Sequence, residues 1–256
     1  MSSPAPAALP TTIDEVVARL DQIIEQSRDA GSRQGYFPAL YRRVTVTVRD
    51  GIADGLFDDG PRMERFDVRF ANRYLDAYDA FQASGELSES WRFAFRATDD
   101  YWPIVLQHLL LGMNAHINLD LGVAAARVVP PGGLAGLQPD FNKINGILAS
   151  LVGEVQSQLA EVWPLLRVLD GVLGRVDESI VNFSMSRARD FAWRVAEELN
   201  PLSEEGQQAR IARLDAEIVE IAGLIRHPGA LLGATTKAVR LGEWKTPSEI
   251  IQILAT

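Results

Sequence analysis

An all-α, single-domain bundle of several helices packed around one buried central helix, at about residues 104–128, is the fold this sequence predicts. Three observations lead to it. Apolar residues recur at spacings of three and four along the chain, Gly and Pro punctuate it only at long intervals, and the window 104–128 is apolar on nearly every side, as in a helix buried all round. The composition agrees: 47% hydrophobic and 23% charged residues over 256 positions suit a globular core and exclude disorder over the whole length.

The elements follow in order. Residues 1–11, rich in Pro and Ala, read as a disordered lead without the basic start and apolar run of a secretory signal. A single helical domain is expected over 12–256. Thr12-Ile-Asp-Glu15 is a capping box opening a helix with Val16, Leu20, Ile23 and Ile24 as its stripe, closed by Gly31. Pro38 opens the next, which runs toward Gly55 on Leu40, Tyr41, Val44, Val48 and Ile52, although Val44–Val48 also has strand propensity. From Met63 to Ala83, Met63, Phe66, Phe70, Tyr74 and Phe81 form an aromatic face, and a short helix after Ser88 carries Trp91, Phe93 and Phe95. The apolar window ends at Pro130-Pro131-Gly132-Gly133, a break between two halves. The second half holds helices at about Asp140–Trp163 with a kink at Pro164, at Glu178–Leu199 stopped by Asn200-Pro201, and at Ser203–Arg226 stopped by His227-Pro228-Gly229. A second capping box, Thr246-Pro247-Ser248-Glu249, opens the last helix.

Charge and composition remove whole classes of function. With 34 acidic against 25 basic side chains the net charge is −9 and the pI about 4.9, so there is no global electrostatic reason to bind nucleic acid or anionic lipid. No Cys means no disulfide, no iron–sulfur ligation by the chain and no thiol nucleophile. Phosphate-loop, Gly-x-Ser-x-Gly, dinucleotide and His-Glu-x-x-His patterns are missing as well. Gln107, His108, Asn114, His116, Asn118 and Asp120 all interrupt the apolar window, so a buried core helix rather than a membrane span is expected, and the cytoplasm is the default location.

Those interruptions form the candidate site. At about 100° per residue, Gln107, Asn114 and Asn118 fall on one stripe and His116 with Asp120 on nearly the opposite one. His116 and Asp120, at i and i+4, can hydrogen-bond each other, act as a base and its orienting carboxylate, or share a divalent metal ion. His108 is a further catalytic candidate, but lies about 12 Å along the axis from His116, so one metal cannot take both. Any metal would need carboxylates from elsewhere, with Asp67, Asp76 and Asp190 on offer. On the aromatic-faced helix, Arg62, Arg65, Arg69 and Arg73 make a stripe. Arg69 and Arg73 are candidate anchors for an anionic group, with Asn114 and Asn118 as further binding residues; the alternative for Arg73 is a local pair with Asp76. His227 reads as a helix C-terminal cation.

Asn182-Phe-Ser-Met-Ser186-Arg-Ala-Arg-Asp190 resembles the second magnesium motif of class I terpene cyclases, although Asp76-Ala-Tyr-Asp79 and Asp99-Asp100 lack the family's first motif. Over most of the chain, Phe66–Leu75, Leu106–Gly122 and Ala188–Trp193 resemble a bacterial family known as domain of unknown function 5995. That resemblance implies one helical domain, directs attention to His108, Asn114, His116, Asn118 and Asp120, and supplies no mechanism. Two readings of function stay open. One is an enzyme acting on a small, partly apolar, anionic molecule through His116 and Asp120, and the other a non-catalytic helical domain that binds a ligand or a protein, with diphosphate chemistry of the terpene-cyclase kind a minor third.

Overall fold

The computed structural model describes residues 8–162 and 185–256, and every regular element among them is helical. Helix α1 (Ile13–Asp29) starts at the expected capping box: the Thr12 hydroxyl accepts from the Glu15 N–H at 3.2 Å, and the Glu15 carboxylate takes the N–H of Thr12 and Thr11 in return. Helix α2 (Tyr36–Ala53) absorbs the β-branched run because burial of Tyr41, Thr45 and Val48 outweighs strand propensity, and Thr45 folds its hydroxyl back onto the Tyr41 carbonyl. Asp59 caps α3 (Gly60–Gln82), and Ser88 caps α4 (Glu89–Ala97).

The central helix α5 (Val105–Val128) is long and apolar enough to cross a membrane, but most of it is buried inside the fold. It packs against α2, α3 and α4, and on its other side against α7 (Met185–Leu199) and α8 (Glu204–Arg226). Two glycines allow that close approach. A Cβ on Gly122 would stand 2.7 Å from the Ala192 carbonyl oxygen of α7, and one on Gly112 would stand 2.6 Å from the Phe37 ring. Between them, Asn114–Leu121 is wound as a π-helix, a rare geometry that recurs at functional sites.

Two boundaries differ from expectation. Helix α6 (Leu134–Val162) begins ahead of Asp140 and contains Pro139, which leaves the Ala135 carbonyl without its helical donor. Helix α9 (Gly229–Gly242) was not expected: His227-Pro228-Gly229 is a turn between helices, and the Gly- and Thr-rich run after it has little intrinsic helix propensity. Helix α10 (Pro247–Ala255) starts at the second capping box and buries Ile250, Ile251 and Leu254 among Ile24, Tyr36 and Ala39. Trp163, Pro164 and the start of the helix expected from Glu178 lie outside the described residues.

An unforeseen tie closes the loop before α3. The Asp140 carboxylate on α6, fully buried, accepts the N–H groups of Asp58 at 2.7 Å and Asp59 at 3.0 Å and an Arg62 N–H at 3.0 Å. It thereby fixes the start of α3, the helix that presents its aromatic face and Arg73 to α5.

Candidate active site

The α5 stripe of Gln107, Asn114 and Asn118 is occupied in holding helices together. Gln107 Oε1 accepts the Ile104 N–H at 3.1 Å and its amide donates to the Ile225 carbonyl at 2.8 Å. Asn118 Nδ2 donates to Asn114 Oδ1 at 2.8 Å, and Asn114 Nδ2 donates to the Ile218 carbonyl at 3.0 Å. Neither Asn leaves a buried atom unpaired. These bonds join α5 to α8, and neither Asn lines the hollows that border His116, Asp120 or His108.

His116 and Asp120 meet, with Nδ1 3.4 Å from Oδ2, and are 2% and 1% exposed. The carboxylate has two further donors: Arg73 Nε reaches Oδ1 at 2.6 Å and Trp91 Nε1 reaches Oδ2 at 2.7 Å. Burial pushes the Asp120 carboxyl up, but Arg73, His116 and Trp91 more than reverse this and hold it below the ordinary value. Burial also pushes the His116 imidazole down, against the pull of Asp120, so the ring is neutral at pH 7. A neutral ring beside an ionised carboxylate places the proton on Nδ1 and leaves Nε2 as an acceptor. Nε2 has no partner.

The pair lies between two hollows. Asp120, Trp91 and Arg73 form part of an outer cleft of about 620 Å³ whose rim carries Arg65, Arg69 and Asp76. On the other side, His116 lines an inner cavity of about 260 Å³ whose walls are mostly Leu, Phe, Val and Met side chains from α2, α3, α5, α6 and α7. The ring is fixed there by stacking on Phe70, centroids 3.7 Å apart, and by edge contact with Tyr41 at 4.5 Å. Three polar side chains join His116 in this apolar wall: Tyr41, Asp67 and Arg189. The Tyr41 hydroxyl and Asp67 Oδ2 are buried without a partner. Burial alone pushes the Asp67 carboxyl up to about 7, so near neutrality it is available both as a proton donor and as an acceptor.

The other candidates separate. Arg73 is spent on Asp120 rather than on Asp76, and Arg69 is exposed on the outer cleft, so neither anchor shares a cavity with the free nitrogen of His116. His108 lines a different, much smaller hollow beside Tyr74 and Gly112; both its nitrogens lack partners, and burial, with Arg33, Arg240 and Arg226 nearby, pushes it down to about 3. It stays neutral and away from His116. Among the described residues no three His, Asp or Glu side chains converge as ion ligands. Both Asp120 oxygens are taken and a guanidinium stands beside them, a poor setting for a divalent cation. Of the terpene-cyclase-like spacing, Asn182 lies outside the described residues and Asp190 is exposed, while Asp79 is paired with Arg19 and Asp100 with Arg226.

Three residues of the inner cavity were within reach of the sequence. Asp67 sits four residues after Met63 and three before Phe70, on the inward stripe itself, and Tyr41 belongs to the apolar stripe of α2. Arg189 sits four residues after Met185 and three before Ala192, where helical spacing asks for an apolar side chain. A charge on the buried stripe was the available signal.

A family model, described as a family of unknown function (DUF5995), matches residues 13–228. No curated protein and no solved structure matches the chain.

Proposed function

The chain belongs to the DUF5995 family, which brings no activity with it, and we propose that it is an enzyme acting on a small, largely apolar molecule by acid–base chemistry in the inner cavity. One observation carries this reading: His116 is held at Nδ1 by Asp120, lines the apolar inner cavity, and keeps its buried Nε2 without a partner. That is the arrangement of a general base with its orienting carboxylate. Nε2 takes a proton from the substrate or from a water, and the imidazolium is stabilised by Asp120 beside apolar walls that strengthen the charge interaction. The Asp67 carboxyl is the donor available to return a proton to the product, whereas burial pushes the Tyr41 hydroxyl well above its ordinary value and leaves it a weak acid. The donor set of His116 and Asp120 favours proton transfer over metal ligation, since Arg73 occupies the carboxylate.

A second reading, ligand binding without chemistry, is favoured by the 2% exposure of His116. The two are separated by assaying turnover of small aryl esters, epoxides and enolisable ketones by the wild type and by His116→Gln. The enzyme reading expects turnover of at least one class and a loss of about 10²–10⁴-fold in the variant. Equal rates in both proteins contradict it, and tight binding with no turnover in any class establishes the second reading instead.

A further inference from the structure

Arg189 is the charge in the inner cavity that the acid–base reading leaves unused. It is 4% exposed and lines a wall that is otherwise almost wholly apolar. Its Nε donates to Asn145 Oδ1 at 2.5 Å, one Nη donates to the Phe141 carbonyl at 2.5 Å, and the guanidinium lies over the Phe141 ring at 4.2 Å. These neutral partners fix its direction, and none neutralises it. Among the described residues it forms no ion pair within contact distance; the carboxylate of Asp190, its exposed neighbour in the chain, attracts it through space, but burial outweighs this and pushes the guanidinium down to about 10. A buried cation without an anion is expensive, and natural proteins pair such groups. Asp67, the acid in the same cavity, does not serve: its carboxyl is pushed up by burial with no relief from any cation.

We propose that the inner cavity takes a small apolar monoanion, a carboxylate on a hydrocarbon body, with the anionic head on Arg189 and the body along the aromatic wall toward His116. The proposal rests on the reading of this cavity as the ligand site and names the class of its ligand. The wall is continuous. Phe66 and Phe70 line the cavity, stacked 6.4 Å apart, with Phe70 stacked on His116; behind them Phe141, 6.1 Å from Phe66, carries the Arg189 guanidinium, so one row of rings joins the cation to the imidazole. A guanidinium with an apolar approach binds a carboxylate through a charge-assisted bond that bulk water does not weaken. At about 260 Å³ the cavity falls below the roughly 300–1,000 Å³ usual for drug-sized ligands, which suits a body of several carbons. This anchor lies on α7, apart from Arg69 and Arg73 of α3, which line the outer cleft.

The test compares head groups on one body. Octanoate, 1-octanol and octylamine are titrated into the wild-type protein at pH 6.0, where Asp67 keeps its proton, by calorimetry, while the ring signals of His116 and His227 are followed by NMR. The expected result is octanoate binding at least tenfold tighter than octanol, octylamine weakest, and shifts at His116 with none at the exposed His227. Arg189→Lys is expected to keep the order of ligands with a smaller margin, and Arg189→Met to lose the preference for octanoate while still binding octanol. Octanol binding as tightly as octanoate to the wild type overturns the carboxylate proposal and leaves the ligand cavity standing. Failure of all three to move His116 overturns the cavity reading and the proposal together. Because the head-group comparison is made on the wild type, a variant that fails to fold does not decide the outcome.

Discussion

Two polar pairs with the same spacing lie on the same π-helical segment, and only one of them has a free end. Asn114 and Asn118 bond to each other and to the backbone of α8, so their hydrogen-bonding capacity is used in joining helices. His116 and Asp120 are as deeply buried, yet the carboxylate has an excess of donors while the imidazole keeps one nitrogen unpaired in a cavity. Spacing and burial therefore do not distinguish a packing pair from a reactive one. What distinguishes them is a lone pair left without a partner, on a residue that lines a cavity.

The comparison breaks most visibly at His116. His116→Gln, which removes the base while keeping a donor for Asp120, is expected to lower any turnover by about 10²–10⁴-fold with only a small change in the urea midpoint. Equal turnover would place His116 beside Asn114 as a packing residue. Next in size is Asp67. Its carboxyl holds its proton up to about 7 in the folded protein against an ordinary 3.8. Stability is therefore fully present below pH 3.8 and is lost as pH rises toward 7, at about 1.4 kcal/mol per unit. Asp67→Asn should remove that loss, so that its advantage over the wild type grows by up to about 4 kcal/mol between pH 4 and pH 8 in urea unfolding. A constant difference between the two proteins would show that Asp67 is not desolvated.

Asp120→Ala comes third, with an expected loss of about 3 kcal/mol, because Trp91 keeps a buried N–H without an acceptor and Arg73 loses its counter-ion. Arg73, 26% exposed, can swing into the outer cleft, which keeps the cost from rising further. Smallest is Asn118→Ala, at about 1–2 kcal/mol for one buried amide bond, with turnover within twofold of wild type. A large loss of turnover in this variant would erase the distinction between the two pairs.

Much of this was legible beforehand. The capping boxes at Thr12 and Thr246, the helix start at Ser88, and the burial of α5 all follow from local rules of propensity and period that tertiary structure did not override, whereas α3 starts three residues before the expected Met63. Contact between His116 and Asp120 also followed from their spacing. The partners across helices did not, because no local rule says that Arg73 reaches past Asp76 to a carboxylate 47 residues away, or that Asn114 finds the Ile218 carbonyl. Nor does any local rule place a cavity. Tyr41, Asp67 and Arg189 share one only because α2, α3 and α7 pack around the same stretch of α5. Helix α9 escaped notice for the converse reason: its Gly and Thr content is poor helix material, and a Pro–Gly turn just before it resembles an ending.

The protonation state of His116 tests the central claim most directly, by long-range ¹H–¹⁵N NMR of the imidazole in the wild-type protein at pH 7. The account predicts a neutral ring with the proton on Nδ1 toward Asp120 and Nε2 as the unprotonated acceptor facing the inner cavity. A proton on Nε2, or an imidazolium at this pH, would contradict it, because the cavity would then face a donor and the pair could not act as a base.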